Sequence, residues 1–147
     1  MKQAEEDAAL TLAAEMIEWK EMDMRDMGNV FSGPLFEALF FIASFHHLET
    51  FEERLSVLQE AKKILLPGGK IYMTNWHLLS EQNQKYLPSR TAEYPDGSAD
   101  FNIKIGKHSR FYHSFSLSEY QKLSQESGLQ LEKCEFGERN SLAIFSL

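Results

Sequence analysis

The stretch between residues 35 and 76 constrains the fold more strongly than any other part of the chain. It opens with LFEALFFIASF (35–45), a nearly continuous apolar run of strand length. Such continuity is typical of a central parallel strand covered on both faces, although a buried helical segment gives the same pattern. The next segment, TFEERLSVLQEAKKILL, places apolar residues three and four positions apart and therefore predicts a helix. Thr50 and Glu53 have the spacing of a capping box at its start.

The residues after this helix complete a recognisable unit. PGG (67–69) ends the helix, and KIYMTNWHLL (70–79) begins as a second apolar strand. A strand, a helix and another strand in this order form a βαβ unit, whose strands run parallel and whose connection is right-handed. The sequence therefore predicts the α/β class.

Three segments are predicted ahead of this unit. Residues 2–15 are rich in Ala, Glu, Leu and Lys and contain neither Gly nor Pro, which predicts a helix. MIEWKEMDM (16–24) alternates apolar and polar residues, as a short strand does. GNVFSGP (28–34) has the composition of a loop.

The C-terminal half divides into a polar segment and three regular elements. Residues 80–109 are polar, contain Pro and Gly and show little periodicity, which predicts a functional loop or lid. A capped helix is expected at 116–128, beginning at a serine and ending at a glycine. LQLEKCEF (129–136) and NSLAIFSL (140–147) are expected to form an antiparallel hairpin.

Composition excludes several classes of protein. A chain of 147 residues with 43% hydrophobic residues suits one domain with a sizeable core. The formal net charge of −7 argues against a protein that coats nucleic acid with its whole surface, but it is compatible with a local basic patch. Cys134 is the only cysteine, so neither a disulfide nor a Cys-based zinc site can form within one chain. No signal peptide and no stretch near the ~20 apolar residues of a membrane span is visible, and a cytoplasmic location is expected.

The segments FEALFFIASFHHL and RLSVLQEAKKILLPGGKIYMTNW together resemble the later half of S-adenosylmethionine-dependent methyltransferases with the Rossmann-like fold, of the type 11-like kind. In that family a strand with an acidic residue near its start, here Glu37, ends in a His-His-Leu-like stretch. A helix, LLPGGK and the next strand follow. The resemblance extends over roughly residues 15–147. It implies a partial Rossmann-like sheet of parallel strands with helices, ending in an antiparallel hairpin and lacking the first two strands of the fold.

A finer resemblance lies at SRFYHSFSLSEYQKLSQESGL (109–129). It is similar to the C-terminal segment of methyltransferases that finish wobble-uridine side chains in tRNA, where an Arg-x-Tyr-His-x-Phe pattern precedes the last helix. Arg110, Tyr112 and His113 occupy the first three positions of that pattern here. The resemblance implies that these residues contact a tRNA uridine, and a small-molecule substrate is the alternative.

The resemblance also implies S-adenosylmethionine as the cofactor. Asp23 is expected at the C-terminal end of a parallel strand, where it would accept a hydrogen bond from the adenine amine. Met24 would add a backbone or apolar contact, and Ala43 and Ser44 would line the same site. For Asp23 the alternative is a solvated residue in a turn.

His46 and His47 follow the first predicted strand directly. Adjacent residues of an extended chain point in opposite directions, so the pair is not expected to bind one metal ion, and no metal site is predicted. One histidine is expected to face the substrate and the other to pack or to cap the next helix. Asn75 and Trp76, near the end of the second strand, are expected to contact the substrate too. No catalytic residue is identified.

The segment IKIGKHSRFYH (103–113) interleaves basic and aromatic residues. This combination suits an RNA backbone with a stacked, unpaired base, and an arginine within it can also pair with a substrate carboxylate. A solvated edge or loop is the competing interpretation. The basic side chains concerned are Lys104, Lys107, His108, Arg110 and His113.

One feature of the family is missing from the sequence. No Gly-x-Gly occurs in the 147 residues, whereas the family holds the methionine portion of the cofactor with a glycine-rich turn. We therefore expect a single, N-terminally incomplete methyltransferase domain with weakened cofactor binding. The apolar strand at 35–42 would have an unpaired edge, to be covered by residues 16–22, by a missing N-terminal segment or by a second copy of the chain.

Two functions are compatible with these features. The first is methyl transfer to an oxygen or nitrogen of a modified tRNA uridine or of a small molecule. The second is a non-catalytic remnant that serves as a binding or dimerisation module.

Overall fold

The computed structural model describes residues 17–147. The helix predicted for 2–15 lies outside these residues. Residues 17–23 are irregular, so the strand predicted at 16–24 is wrong for the part that the structure describes. Its alternating apolar side chains have no neighbouring strand to pair with, and Trp19 is 87% exposed.

The described elements alternate between helices and strands up to the middle of the chain and are mainly strands after it. In chain order they are α1 (Met27–Val30), β1 (Phe36–Ile42), α2 (Phe51–Ile64), β2 (Leu65–Trp76), β3 (Arg90–Glu93), β4 (Ala99–Ile105), β5 (His108–Ser114), α3 (Leu117–Ser127), β6 (Gln130–Phe136) and β7 (Asn140–Ser146). Three short 3-10 helices lie between them, at Met24–Asp26, Phe45–His47 and Glu81–Ser89.

The larger sheet has the strand order β1-β2-β7-β6. Strands β1 and β2 are parallel, whereas β7 is antiparallel to both β2 and β6. The predicted α/β class, the parallel βαβ unit and the antiparallel C-terminal hairpin are therefore confirmed. The strand β2 begins earlier than expected, because PGG lies within its pairing with β1 as an irregularity between the pairs Phe36–Leu65 and Ala38–Lys70. Gly68 permits this irregularity by adopting a φ of +77°.

A second, three-stranded antiparallel sheet has the order β3-β4-β5. Together with the 3-10 helix Glu81–Ser89, its strands give regular structure to most of the segment at 80–109, where the sequence shows little periodicity. Strand β4 does alternate, since Phe101 and Ile103 are buried between exposed Asn102 and Lys104. This pattern is only a few residues long, which is why it gives little signal beside the polar residues that precede it.

Both long helices begin as their sequences predict, and α3 also ends as predicted, whereas α2 ends at Ile64, before PGG. In α2, the Thr50 hydroxyl accepts a hydrogen bond from the Glu53 backbone at 3.1 Å, and the Glu53 carboxylate accepts one from the Thr50 backbone at 3.3 Å. In α3, the Ser116 hydroxyl accepts from the Glu119 backbone, and Gly128 ends the helix in the left-handed conformation, with a φ of +69°. The residues expected as a loop at 28–34 instead begin within the short helix α1.

The main core lies between one face of the larger sheet and the helices α2 and α3. Its most deeply buried side chains come from the 3-10 helix after β1, from β2, from α2 and α3, and from β7: Phe45, Val57, Leu58, Ala61, Ile71, Met73, Tyr120, Leu123 and Phe145. A smaller core under the second sheet contains Leu78, Ala99, Phe101, Ile103 and Tyr112. Within residues 17–147, no helix has both the length and the apolarity needed to cross a bilayer.

The strand β1 lies at the edge of the larger sheet, as the predicted unpaired edge requires, but the expectation that both of its faces are covered is wrong. Phe41 is buried against the core, but Phe40 and Ile42, on the opposite face, are 66% and 61% exposed. One face of this apolar strand is therefore a surface that none of the described helices covers. Phe40 stacks on Tyr72 of β2 with ring centroids 5.1 Å apart, so the exposed apolar surface continues onto the next strand.

Candidate functional site

The carboxyl ends of β1 and β2 lie side by side, and the 3-10 helix Phe45–His47 follows the first of them. The two histidines do not point in opposite directions, because this turn is helical rather than extended. Their ring centroids are 4.4 Å apart and the rings are nearly perpendicular. His46 is buried and His47 is partly exposed, so one packs inside and the other reaches the surface, as expected.

The hydrogen bonds of the two histidines fix different tautomers. The Trp76 backbone N–H donates to Nδ1 of His46 at 3.0 Å, so this nitrogen carries a lone pair and the proton lies on Nε2. Nδ1 of His47 lies 2.9 Å from the Phe111 carbonyl, which can only accept, so His47 is protonated on Nδ1. The remaining nitrogen of His47 is therefore an acceptor near the surface.

Both histidines are uncharged at neutral pH. Burial lowers the pKa of His46 to about 3, and electrostatic repulsion of its protonated form by His47 and Arg110 acts in the same direction. Burial also lowers the pKa of His47, and the Arg110 guanidinium acts in the same direction against the hydrogen bond to the Phe111 carbonyl. The site thus presents a neutral imidazole beside a permanent positive charge.

Aromatic rings surround the histidines. Trp76 and Tyr112 are stacked with centroids 4.9 Å apart and an interplanar angle of 14°. Tyr112 also contacts both imidazoles, at 5.1 Å from His46 and 4.6 Å from His47. It is buried in the smaller core, so its predicted contact with substrate is not available in this structure, and it supports Trp76 and His47 instead. Tyr86 lies on Trp76 at 5.9 Å. The sequence did not indicate Tyr86, because it lies in a polar segment and reaches Trp76 only through the folding of the 3-10 helix Glu81–Ser89.

The predicted basic side chains separate into a surface group and a buried residue. Lys104, Lys107, His108 and Arg110 are exposed on β4, on β5 and in the turn between them. Of these, Arg110 lies close enough to the histidine pair to shift both pKa values. The segment therefore brings positive charge to the rim of the aromatic cluster.

His113 does not face this surface. It is fully buried, and its two ring nitrogens lie 2.6 Å from the Asp100 carboxylate and 2.5 Å from the Glu119 carboxylate. Its predicted contact with substrate is therefore not available in this structure. Asn75 is also fully buried and donates to the Tyr120 hydroxyl at 2.9 Å, so it too stabilises the interior rather than the site.

The groups around His113 form a buried polar network that sequence reasoning did not find. Arg54 lies 2.9 Å from Glu119, and the Tyr94 hydroxyl donates to Asp100 at 2.6 Å. Burial lowers the pKa of His113, but its hydrogen bonds to the two carboxylates outweigh this and the net shift is upward. The network connects the smaller sheet to α2 and α3.

The predicted cofactor residues lie on the other side of His47. Asp23, Met24 and Ser44 line a cavity of about 420 Å³ together with His47 and Leu48. Ala43 does not line it, but adopts a φ of +49°, and its backbone N–H donates to the Thr74 carbonyl at 2.9 Å. The turn at Ala43 redirects the chain from β1 toward the histidines.

Asp23 is engaged by a neighbouring arginine. Its carboxylate accepts from the side chain of Arg25 at 2.6 Å, and Arg25 also donates to Glu53 at 2.8 Å. The hydrogen bond from the Arg25 side chain is the main reason why the pKa of Asp23 falls to about 2. The carboxylate therefore stays charged and is an acceptor at the cavity wall.

Part of this lining suits the adenosine group of S-adenosylmethionine: the Asp23 carboxylate, the apolar side chains of Met24 and Leu48 and the hydroxyl of Ser44. The rest is charged, since Arg25, Glu49 and Glu53 line the cavity too. The 147 residues offer no Gly-x-Gly turn for the methionine part. Among residues 17–147, no group of three or more His, Cys, Asp or Glu side chains is arranged to hold a metal ion.

Two curated relatives are similar to parts of the chain. A protein of Encephalitozoon cuniculi that is named as a methyltransferase is 24% identical over 96 residues, which are 65% of this chain and 45% of that protein. The tRNA (carboxymethyluridine(34)-5-O)-methyltransferase alkbh8 of Xenopus tropicalis is 37% identical over 73 residues, which are 47% of this chain and 12% of that protein. The chain thus matches less than half the length of either relative. No family model matches it.

Comparison with a solved structure establishes the fold. An S-adenosylmethionine-dependent methyltransferase from Methanosarcina mazei superposes with a TM-score of 0.67 and 16% identity, over 88% of this chain and 66% of that one. The fold of residues 17–147 is therefore that of S-adenosylmethionine-dependent methyltransferases, as the sequence resemblance implies.

Proposed function

We propose that the chain takes part in methyl transfer from S-adenosylmethionine to the side-chain carboxylate of a modified tRNA uridine. A small-molecule oxygen or nitrogen acceptor is the broader form of the same proposal. The observation that carries it is the cluster of Trp76, Tyr112 and His47 beside Arg110, at the strand ends of a methyltransferase fold. The named activity of the Xenopus tropicalis relative supports the choice of acceptor.

The residues of the cluster suit the parts of such a substrate. A planar base can stack against the partly exposed ring of Trp76, which buried Tyr112 supports; such stacking is worth about 1–3 kcal/mol per base. The free acceptor nitrogen of His47 can receive a hydrogen bond from the imide N–H of uracil. Arg110 can pair with the carboxylate through two parallel hydrogen bonds, which fix its position as well as its charge.

The chemistry requires little from the protein beyond placement. A carboxylate is ionised at neutral pH, so it attacks without a general base. S-adenosylmethionine supplies an activated methyl group when it is bound, and the products are a methyl ester and S-adenosylhomocysteine. The role of Arg110 and the aromatic cluster is to hold the carboxylate in line with the methyl group, because orientation carries most of the rate enhancement in such a transfer.

In this proposal Asp23, Met24 and Ser44 hold the adenosine part of the cofactor. Their cavity and the aromatic cluster share His47, which lines the cavity and contacts Tyr112. The acceptor would therefore lie on one side of the His47 ring and the adenosine on the other. This arrangement assigns the predicted cofactor and substrate residues to two adjacent parts of one site.

The test uses a labelled methyl group and an RNA of defined modification. We expect the chain to transfer tritium from S-[methyl-³H]adenosylmethionine to an anticodon stem–loop carrying 5-carboxymethyluridine, but not to the same RNA with uridine. The transferred label should be released by mild alkali, which hydrolyses an ester but leaves an N-methyl group intact. Transfer to both RNAs, or alkali-stable label, would contradict the proposed acceptor.

A second candidate is a non-catalytic module derived from a methyltransferase. The absence of Gly-x-Gly from the 147 residues and the open edge of β1 favour it. Equilibrium dialysis with radiolabelled S-adenosylmethionine separates the two candidates. A chain without measurable cofactor binding would be a binding or dimerisation module, and the enzymatic proposal would then be wrong for it.

A further inference from the structure

A second, polar cavity of about 290 Å³ is lined by Trp76 and shares no residue with the cavity at His47. It lies between the 3-10 helix Glu81–Ser89 and the turn that joins β6 to β7. Its charged lining residues are Lys85 and Arg139, and the others are amides and aromatic rings. No carboxylate lines it, although the chain carries a net charge of −7.

The backbone around Arg139 is held in place by several hydrogen bonds. Buried Asn83 donates to the Arg139 carbonyl at 3.1 Å and to the His77 carbonyl at 2.8 Å. The His77 backbone N–H donates to the same Arg139 carbonyl at 2.9 Å, and the Ser80 hydroxyl donates to the Glu138 carbonyl at 2.5 Å. The cavity is therefore built from two segments that are far apart in sequence and joined by a buried amide.

The two cations are available to a ligand. Within residues 17–147, neither Lys85 nor Arg139 forms an ion pair with a carboxylate. The Lys85 ammonium lies 4.9 Å from the ring centroid of Tyr86, which positions it without neutralising its charge. Tyr86 in turn contacts Trp76, which belongs to the aromatic cluster.

We propose that this cavity binds a phosphate of the RNA backbone next to the nucleotide that stacks in the aromatic cluster. The inference rests on the proposed function, since it names a further contact of the same substrate. Lys85 and Arg139 would neutralise the phosphate, and the Asn140 amide at the cavity wall would add a hydrogen-bond donor. The shared wall of Trp76 and Tyr86 makes the phosphate and the base neighbours on one strand.

Salt dependence of RNA binding tests this assignment. The double variant Lys85→Gln/Arg139→Gln removes both charges, and Lys63→Gln/Lys122→Gln removes two exposed charges on α2 and α3. The affinity for a fluorescein-labelled anticodon stem–loop is measured by anisotropy at increasing KCl concentration. We expect the magnitude of the slope of log K against log [KCl] to fall by about 0.7 to 0.9 in the first variant, since that is the contribution of one neutralised phosphate. The control should keep the wild-type slope.

The outcomes separate this assignment from the proposed function. If the wild-type chain binds the RNA and the variant Lys85→Gln/Arg139→Gln keeps the wild-type slope, the phosphate site is wrong while the proposed function stands. If the wild-type chain does not bind the RNA, both are wrong. The single variant Arg139→Lys keeps the charge and loses only the planar guanidinium, so it should keep the slope. Equal melting temperatures of all variants would show that the comparison is between folded proteins.

Discussion

At the level of single residues, His113 has the most unusual environment in the described chain. Both of its nitrogens face carboxylates, and a neutral imidazole has only one N–H to donate. The arrangement therefore favours the imidazolium, with Arg54 adding a second positive charge beside Glu119 and Tyr94 donating to Asp100. The protonation state of one buried ring thus helps to join the smaller sheet to the helices.

This environment predicts a loss of stability on the alkaline side of neutrality. In the folded state the pKa of His113 lies above its ordinary value of 6.5. The contribution of His113 to the free energy of unfolding is therefore complete below pH 6.5 and is lost as the pH rises through its folded-state pKa. His46 and His47 have lowered pKa values and are neutral in both states above about pH 7, so they do not affect this range. Urea unfolding between about pH 7 and pH 9 should show a falling free energy of unfolding.

The variant His113→Gln is the control for this pH dependence. It should be less stable than the wild type by about 3 kcal/mol, because the buried carboxylates lose their charged partner. Its free energy of unfolding should change little over the same pH range. An unchanged slope in the variant would show that another group titrates there.

Arg110 provides a second prediction at the residue scale. Replacing it with Gln should weaken binding of the carboxymethyluridine stem–loop by about tenfold or more, since a hydrogen bond to a charged group contributes about 1.5–3 kcal/mol. Binding of the unmodified stem–loop should fall much less. Lys107→Gln removes an equally exposed charge from the same hairpin and is the matched control. An equal loss for both RNAs would mean that Arg110 contacts the backbone rather than the carboxylate.

At the level of elements, the capping box of α2 is the clearest link between sequence and stability. Thr50→Ala removes the hydroxyl that accepts from the Glu53 backbone, and we expect a loss of about 1 kcal/mol in the free energy of unfolding. Thr50→Ser retains the hydroxyl and should lose much less. Thermal unfolding followed by circular dichroism measures both. Equal stability of all three proteins would show that solvent replaces the cap without cost.

The elements that could be predicted are those that local patterns encode. The capping box, the glycine at the end of α3 and the apolar strands of the βαβ unit each depend on neighbouring residues in the sequence. The strand expected around Trp19 failed because alternation indicates a strand only where a partner strand exists. The smaller sheet was missed because β3 has only four residues, only part of β4 alternates, and β5 begins with three exposed polar residues.

The candidate site likewise combines residues whose positions follow from predicted strands with residues that meet only in the folded chain. His47, Trp76 and Tyr112 contact one another because each follows or belongs to a strand whose position the βαβ unit and its neighbours determine. The burial of His113 depends on Asp100 and Glu119, which lie 13 and 6 residues away, and no local pattern shows that they converge. Tyr86 likewise contacts Trp76 only in the folded chain.

At the level of the whole molecule, the larger sheet is covered unequally. One face packs against α2 and α3, while the other face of β1 exposes apolar rings and its outer edge has no partner strand among residues 17–147. An edge of this kind pairs readily with another strand, and exposed apolar residues beside it strengthen such pairing. We propose that a second copy of the chain or a further N-terminal segment covers this surface.

If a second copy of the chain covers this surface, the protein should self-associate through β1. Sedimentation velocity of the wild-type chain should show a sedimentation coefficient that rises with concentration. The variant Phe40→Lys/Ile42→Lys should remain monomeric, because two lysines on this face repel a second copy and leave the core residue Phe41 unchanged. Phe136→Lys changes a partly exposed ring on β6, at the opposite edge of the sheet, and should associate like the wild type. A wild-type chain that stays monomeric at all concentrations would exclude a second copy as the element that covers β1. Pairing of β1 with an added N-terminal segment would then be tested instead.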